Sequence, residues 1–280
     1  MTTLGILHPG SMGAAVAAQA KRTGATVLWC PEGRSGASKK RARRYGLAAA
    51  TDLSEMSQRC EVILSLCPPA NAEEVAAAVA AESFSGVYVD GNAISPARMA
   101  RISAIMLPTG AAVVDGSVIG SPPSESKTPR LYLSGPESAL VAVAHLFEDT
   151  AVEPHLLAGG IGKASALKLA YSSYQKTSRA LAAIAYALAS DHGLQDELLD
   201  IATGRTTSYL AETAYIPKVA ARAWRWAPEM REVADALDEA SLPTELAEAA
   251  ASVMERWVDS RDEPLELSEA LAQLHKLPQD

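Results

Sequence analysis

Two stretches of this sequence have residue types and spacings suited to chemistry. The first is His8-Pro9-Gly10-Ser11-Met12-Gly13, which follows the apolar run Leu4–Leu7 and opens an Ala-rich segment. Strand, glycine turn and helix in that order build a dinucleotide site. One glycine lets the backbone approach a pyrophosphate, and another lets helix and strand pack closely. The helix N-terminus then offers free N–H groups and the positive end of its dipole. His8 stands where a G-x-G-x-x-G fingerprint has its first glycine, so it reads as a loop residue beside the pyrophosphate rather than a base. The second stretch centres on Lys168, three residues after Ser165 and four before Ser172 in an Ala-rich helical segment. An ammonium beside a reacting carbonyl can donate a proton as hydride arrives and accept it in reverse. By pattern alone, the same lysine could also snorkel to solvent.

The residues after the second strand bear on which dinucleotide would bind. An NAD site usually places Asp or Glu at that strand end, to hold the ribose hydroxyls. Here the place is Cys30-Pro31, followed by Glu32-Gly33-Arg34-Ser35. The planar guanidinium of Arg34 and the Ser35 hydroxyl suit a 2′-phosphate, so NADP is expected rather than NAD. Glu32 is the dissenting residue. The basic run Lys39-Lys40-Arg41-Ala42-Arg43-Arg44 adds positive potential, with Arg43 and Arg44 reading as a solvated face.

The elements that must carry these residues follow from periodicity. Short apolar strands are expected at 4–7, 25–30, 61–66, 86–90, 111–115 and 130–134. Helices are expected at 12–23, 38–45, 72–82 and 96–106, the last with Pro96 at its start, where a missing N–H costs nothing. This alternation predicts an α/β fold, a Rossmann-type doubly wound parallel sheet. Residues 163–190 form one long helical run without Gly or Pro. Only helical stretches follow, at 195–202, 209–216, 226–240, 244–260 and 265–274. The expected organisation is a nucleotide-binding domain over 1–160, a long interdomain helix over 161–193 and an all-α domain over 194–280 for substrate binding and dimerisation.

Composition narrows the classes. With 48% hydrophobic and 21% charged residues there is ample material for a core, which excludes intrinsic disorder. The net charge of −8 lies mostly in the C-terminal part. Residues 1–158 hold 13 Lys and Arg against 14 Asp and Glu, and residues 159–280 hold 12 against 19. No nucleic-acid surface is expected on that balance. Three cysteines, Cys30, Cys60 and Cys67, with no CxxC spacing suit a reducing compartment without disulfides. Scattered histidines indicate no metal site. The longest apolar run has ten residues, whereas a membrane span needs roughly twenty. The start of the chain carries no signal-peptide pattern, so a cytoplasmic protein without membrane association is expected.

Taken together, these residues resemble the β-hydroxyacid dehydrogenase superfamily, which includes 6-phosphogluconate dehydrogenase, 3-hydroxyisobutyrate dehydrogenase and the imine reductases. Residues 5–13 are similar to its G-F-I-G-x-G-x-M-G. Ile63-Leu64-Ser65-Leu66-Cys67-Pro68-Pro69 is similar to its fourth-strand ending, which contacts the cofactor. Asp90-Gly91-Asn92-Ala93-Ile94-Ser95-Pro96 stands where the family has D-x-S-T-x-x-P, and Gly160-Ile161-Gly162 through Lys168 where it has G-x-G-x-x-x-K. The resemblance spans nearly the whole chain. It is nearest to a branch with an Ala-Trp-Arg-Trp stretch in the helical domain, here Ala223-Trp224-Arg225-Trp226.

The resemblance implies specific roles. Lys168 is the general acid/base of hydride transfer to a C=O carbon. His8, Pro9, Gly10, Ser11, Met12, Glu32, Arg34, Ser35, Cys67, Pro68, Pro69 and Asn92 line the cofactor. Ser117, Ile119, Gly120, Ser172, Trp226 and Glu229 face a small-molecule substrate. The chain forms a homodimer, each active site completed by the partner's helical domain. Two departures matter. Asp115-Gly116-Ser117-Val118-Ile119-Gly120-Ser121 stands where the family has D-A-P-V-S-G-G, so Ile119 replaces a carboxylate-clasping serine. Glu229 falls near the place of a second, carboxylate-holding lysine and would repel a carboxylate, or else faces solvent. Ser172 stands where an asparagine is usual. Trp224, Trp226 and Trp257, at helical positions, also suit a core. The rival readings are an imine reductase-like activity on C=N and a non-catalytic NADP-binding sensor or scaffold.

Overall fold

Alternation along the first apolar run builds the centre of a sheet. In β1 (Thr3–Leu7), Leu4 and Ile6 face one core and Leu7 the other. Helix α1 (Ser11–Arg22) returns the chain to β2 (Thr26–Trp29), which is parallel to β1. The chain continues through α2 (Gly36–Arg44), β3 (Ala48–Ala49), α3 (Leu53–Arg59), β4 (Val62–Ser65), α4 (Ala72–Ala81), β5 (Val87–Asp90) and α5 (Pro96–Met106). It goes on to β6 (Ala112–Ile119), β7 (Arg130–Ser134), α6 (Glu137–His145) and β8 (Glu153–Leu156). This is a computed structural model, and it describes residues 1–191, 193–204, 212–239 and 244–275. It divides into two compact units, Met1–Lys168 and Leu169–Asp280.

The eight strands of the first unit lie in the order β3-β2-β1-β4-β5-β6-β7-β8. Chain order reverses between β1 and β4. That is the crevice where doubly wound sheets bind ligands. One core pairs Leu4, Ile6, Val62 and Leu64 with Val16, Ala17 and Ala20. The opposite core pairs Leu7, Leu28, Ile63 and Tyr88 with Met56, Val79, Met99 and Ile102. The α/β, Rossmann-type class expected from the sequence is borne out.

Six elements depart from the sequence reading. β7 runs antiparallel to β6, so the sheet is not wholly parallel. A parallel neighbour needs a crossover of a dozen or more residues, usually helical. The segment between Ile119 and Arg130 is shorter and has no helix. β6 extends to Ile119 rather than stopping at Asp115, because Gly116–Ile119 pair with Arg130–Leu133. The short strands β3 and β8 and helix α3 carry too few apolar residues to register as periodic, and α6 holds its six apolar residues, Ala139–Ala144, in one unbroken run that shows no helical period.

Helix α7 (Lys163–Asp191) begins in the first unit and continues into the second. The second unit then holds α8 (Gln195–Thr203), α9 (Ile216–Ala220), α10 (Ala223–Glu239), α11 (Glu245–Glu255) and α12 (Leu267–Leu274). The expected helix over 209–216 lies partly outside the described residues, and its described end is a 3₁₀ turn at Thr213–Tyr215. The apolar face of α10, with Trp226, Met230 and Val233, packs on Ala247, Ala250 and Met254 of α11. Trp257 is fully buried and donates its indole N–H to the Ala270 carbonyl at 2.7 Å. Among the described residues no helix is long and apolar enough to cross a membrane.

Candidate active site

The glycine turn after β1 has a constrained backbone. His8, in the first glycine's place, adopts a left-handed φ of 66°. Its carbonyl accepts from the Gly10 N–H at 2.6 Å and would lie 2.7 Å from a Cβ on Gly13, so Gly13 must lack one. A Cβ on Gly10 would meet only the His8 carbonyl oxygen, at 3.9 Å, which leaves room for a ligand to reach the backbone.

Helix α1 begins at this turn without a side-chain cap and without an acidic residue in its first turn. The other helices of the sheet differ. α2, α3 and α5 are capped by Ser35, Asp52 and Ser95, and α4 and α6 carry glutamate in their first turns. The N–H groups and positive dipole end of α1 are thus left for an anion. Nearby, His8 Nδ1 and Arg34 Nε are buried and make no hydrogen bond among the described residues. Burial first, and then the Arg34 guanidinium, push His8 down to about 4. The ring is therefore neutral at physiological pH. A dinucleotide phosphate fits this set, because it would supply the acceptors that α1, Arg34 and the turn lack.

Sequence reasoning missed Arg41, whose Nε donates to the Pro9 carbonyl at 3.1 Å and whose guanidinium also donates to Ser38 Oγ at 3.3 Å. One member of the basic run thus ties α2 to the glycine turn. Ser35 is the exposed N-cap of α2, which starts at Gly36, earlier than expected. Ser11 and Glu32 are exposed, and Met12 packs on the core edge.

At the neighbouring strand ends, Asn92 is buried and organises the turn after β4. Its Oδ1 accepts from the Cys67 N–H at 2.7 Å, and its amide donates to Asp90 Oδ2 at 3.0 Å and Ser65 Oγ at 3.2 Å. This presents Cys67, Pro68 and Pro69 at the edge of the crevice, with Pro68 exposed. Burial pushes the Cys67 thiol up to about 11, against thiolate reactivity. Burial likewise pushes Asp90 up to about 7, partly offset by the Asn92 hydrogen bonds.

Asp115 pairs in register with Asp90 on one side and Ser134 on the other. Its Oδ2 accepts from the N–H groups of Gly162 at 2.9 Å and Ser165 at 3.0 Å, and from Ser134 Oγ at 3.1 Å. Its Oδ1 accepts from Ser165 Oγ at 2.7 Å. Three residues beyond Ser165, Lys168 is half-buried and donates its ammonium to the Val118 carbonyl at 3.1 Å. The adjacent Ser117 is buried, and its hydroxyl makes no hydrogen bond among the described residues. Ile119 is half-buried and Gly120 exposed, with a φ of 134° and Pro129 against the place of a Cβ.

In the helical unit, Ser172, Trp226 and Glu229 come together around a residue that sequence reasoning missed, Lys176. Ser172 Oγ donates to Glu229 Oε1 at 3.1 Å, and Lys176 pairs with Glu229 Oε2. The Lys176 ammonium also lies 5.5 Å from the Trp226 ring centroid. The side chains of Lys176 and Glu229 are only 6% and 13% exposed, so this is a buried ion pair. Glu229 therefore neither faces solvent nor presents a bare negative charge, a correction to both expectations. The available signal was the spacing of Lys168, Ser172 and Lys176, one helical row at four-residue intervals.

Residues 3–159 match the family described as the NAD binding domain of 6-phosphogluconate dehydrogenase. The chain belongs to this family. Residues 189–257 match a second family, described as a domain of unknown function, DUF1932. An uncharacterized 28.5 kDa protein of Methanothermus fervidus is 28% identical over 175 residues, which are 62% of this chain and 66% of that protein, just under two thirds of its length. Among solved structures, Mycobacterium tuberculosis 3-hydroxyisobutyrate dehydrogenase with L-serine superposes with a TM-score of 0.76, at 20% identity, over 99% of this chain and 100% of that one. An imine reductase from Pseudomonas sp. superposes with a TM-score of 0.58, at 18% identity, over 98% and 99%. Both likenesses show a shared fold.

Membership in the 6-phosphogluconate dehydrogenase NAD-binding family accounts for the glycine turn and the Cys67–Asn92 strand ends as parts of an NAD(P)-binding domain. Within the first unit, the structure gathers His8, Pro9, Gly10 and Arg34 at the uncapped end of α1, and Ser117 and Lys168 at the end of β6. Among the described residues no group of three or more His, Cys, Asp or Glu is placed to hold a metal ion.

Proposed function

We propose that this protein is an NADP-dependent oxidoreductase acting on a C=O carbon, with Lys168 as general acid/base. The observation that carries the reading is the Lys168 ammonium held on the Val118 carbonyl at the end of β6, next to Ser117, whose buried hydroxyl has no partner among the described residues. NADP, when bound, supplies the hydride and fixes its direction of approach. The N–H groups of α1 and the Arg34 guanidinium would hold its phosphates, and the Asn92-braced turn at Cys67–Pro69 would line the crevice beside it. Lys168 then leaves the Val118 carbonyl to donate a proton to the substrate oxygen as negative charge develops there. Ser117 supplies a second donor to that oxygen. The preference for NADP over NAD rests on Arg34, whose buried Nε has no hydrogen-bond partner among the described residues. Ser172, Trp226 and Glu229 enter the proposal as substrate-side residues of the helical unit. A homodimer, with each site completed by the partner's helical domain, belongs to the same proposal.

A second reading, reduction of C=N, is favoured by Ile119 in place of a carboxylate-clasping serine. Single-turnover loss of reduced-nicotinamide absorbance separates the readings, using a panel that contains a small hydroxy-acid precursor such as 3-oxo-2-methylpropanoate and a cyclic imine such as 2-methylpyrroline. Turnover of the carbonyl supports the first reading and turnover of the imine alone supports the second. NADPH binding without turnover of any member supports a sensor or scaffold.

A further inference from the structure

Helix α7 begins at Lys163, and Gly162 before it has no side chain to cap the N–H groups of the first turn. The cap comes from the sheet instead. Asp115 of β6 accepts from the N–H groups of Gly162 and Ser165, and Ser134 of β7 accepts from that of Ala164 at 3.2 Å. The Ser165 hydroxyl adds a fourth bond to Asp115 and fixes the rotation of the first turn about its axis. Lys168 follows Ser165 by three residues on the same helix face, and Val118 follows Asp115 by three on the same strand. The two elements are therefore joined by two rungs, Asp115–Ser165 and Val118–Lys168. Four hydrogen bonds converge on a buried carboxylate, and neither oxygen is left for substrate.

We infer that Asp115 is a positioning residue, which acts through Ser165 to hold the Lys168 ammonium at the end of β6. The inference rests on the proposed role of Lys168, but its test need not. A buried carboxylate that accepts four hydrogen bonds could in principle serve stability alone. The second rung argues otherwise, because the Lys168 contact depends on the register and rotation that Asp115 sets.

The test uses the full-length protein without nucleotide. Limiting sulfo-N-hydroxysuccinimide acetate acetylates amines, and peptide mass spectrometry gives the ratio of modification at Lys168 to that at exposed Lys39. In Asp115→Asn one oxygen becomes a donor facing other donors, and the ratio is expected to rise about tenfold or more, the scale of a lost charged hydrogen bond. Ser165→Ala removes one bond and is expected to raise it roughly two- to threefold. Ser165→Thr restores a hydroxyl and should return the ratio to near the wild-type value. Alkylation of buried Cys60 is followed in the same samples. An unchanged Lys168 ratio, or a parallel rise at Cys60, overturns the inference. If Asp115→Asn does not fold, the Ser165→Ala and Ser165→Thr pair decides. A raised ratio with unchanged single-turnover hydride transfer keeps the positioning role and overturns the general-acid role of Lys168. A raised ratio with a lowered rate and unchanged NADPH affinity supports both.

Discussion

Lys168 donates its ammonium to the backbone carbonyl of Val118 at 3.1 Å, so the cation is held at the end of a central strand of the sheet rather than extended into water. A lysine that only snorkelled would have no such contact to lose. If it is the proton donor, Lys168→Met removes a general acid while keeping side-chain length and helix propensity. Hydride transfer should slow by about 10²–10⁴, or roughly 3–5 kcal/mol of barrier. NADPH affinity should survive. Lys168→Arg should not rescue the rate, because a guanidinium stays protonated. Single-turnover absorbance measures the step, and a Met variant with near-normal rate would refute the role.

Arg34 lies beside the glycine turn with a buried Nε that has no partner among the described residues. If it holds a 2′-phosphate, Arg34→Ala should weaken NADPH binding by about 1.5–3 kcal/mol, the scale of a hydrogen bond to a charged group. NADH binding should change little. Fluorescence titration of both nucleotides checks this, and equal losses would sink the NADP preference.

His8 gives a pH prediction. Its folded value of about 4 lies below the ordinary 6.5. The stability from keeping the ring neutral is present above pH 6.5 and is lost as the pH falls toward 4, because the unfolded chain takes up a proton that the folded chain refuses. With allowance for solvent screening of a half-buried ring, the loss is about 1–2 kcal/mol by pH 4.5. His8→Asn keeps a residue that tolerates left-handed backbone and removes the titration. Denaturant midpoints at pH 7 and 4.5 should therefore converge in the variant. An equal acid loss in variant and wild type would assign the titration elsewhere.

What could be read from the sequence was local. The glycine turn and the Leu4–Leu7 strand were recognisable because strand and helix periods change within a few residues. Lys168 stood out only with the pattern around it. What could not be read was pairing across the fold. The Asp115–Ser165 bond spans 50 residues and joins a strand to a helix start, so no periodicity reports it. The antiparallel turn of β7 depends on the absence of a crossover helix, which its own five residues do not encode. Within the basic run only Arg43 and Arg44 read as a solvated face, but nothing in the run singled out Arg41, which the approach of α2 to Pro9 separates from its neighbours. Glu229 was misjudged because its neutralising partner lies on another helix, 53 positions away in the chain.

The Lys176–Glu229 pair yields the last prediction. Both side chains are nearly out of water, so each charge offsets part of the desolvation cost of the other. Glu229→Gln keeps an acceptor for Ser172 and the side-chain volume but leaves the Lys176 ammonium without its carboxylate. It should destabilise the protein by about 3–5 kcal/mol. Lys176→Met, which removes the ammonium facing the Glu229 carboxylate, should cost a similar amount. The double variant Lys176→Met/Glu229→Leu removes both charges and adds apolar volume beside Trp226. It should recover most of the loss, because replacing a buried pair with packed hydrophobic residues is often near neutral. Denaturant midpoints of the two single variants and the double measure the coupling. Single losses under about 1 kcal/mol, or a double variant whose loss equals the sum of the singles, would place the pair in the regime of solvated surface contacts.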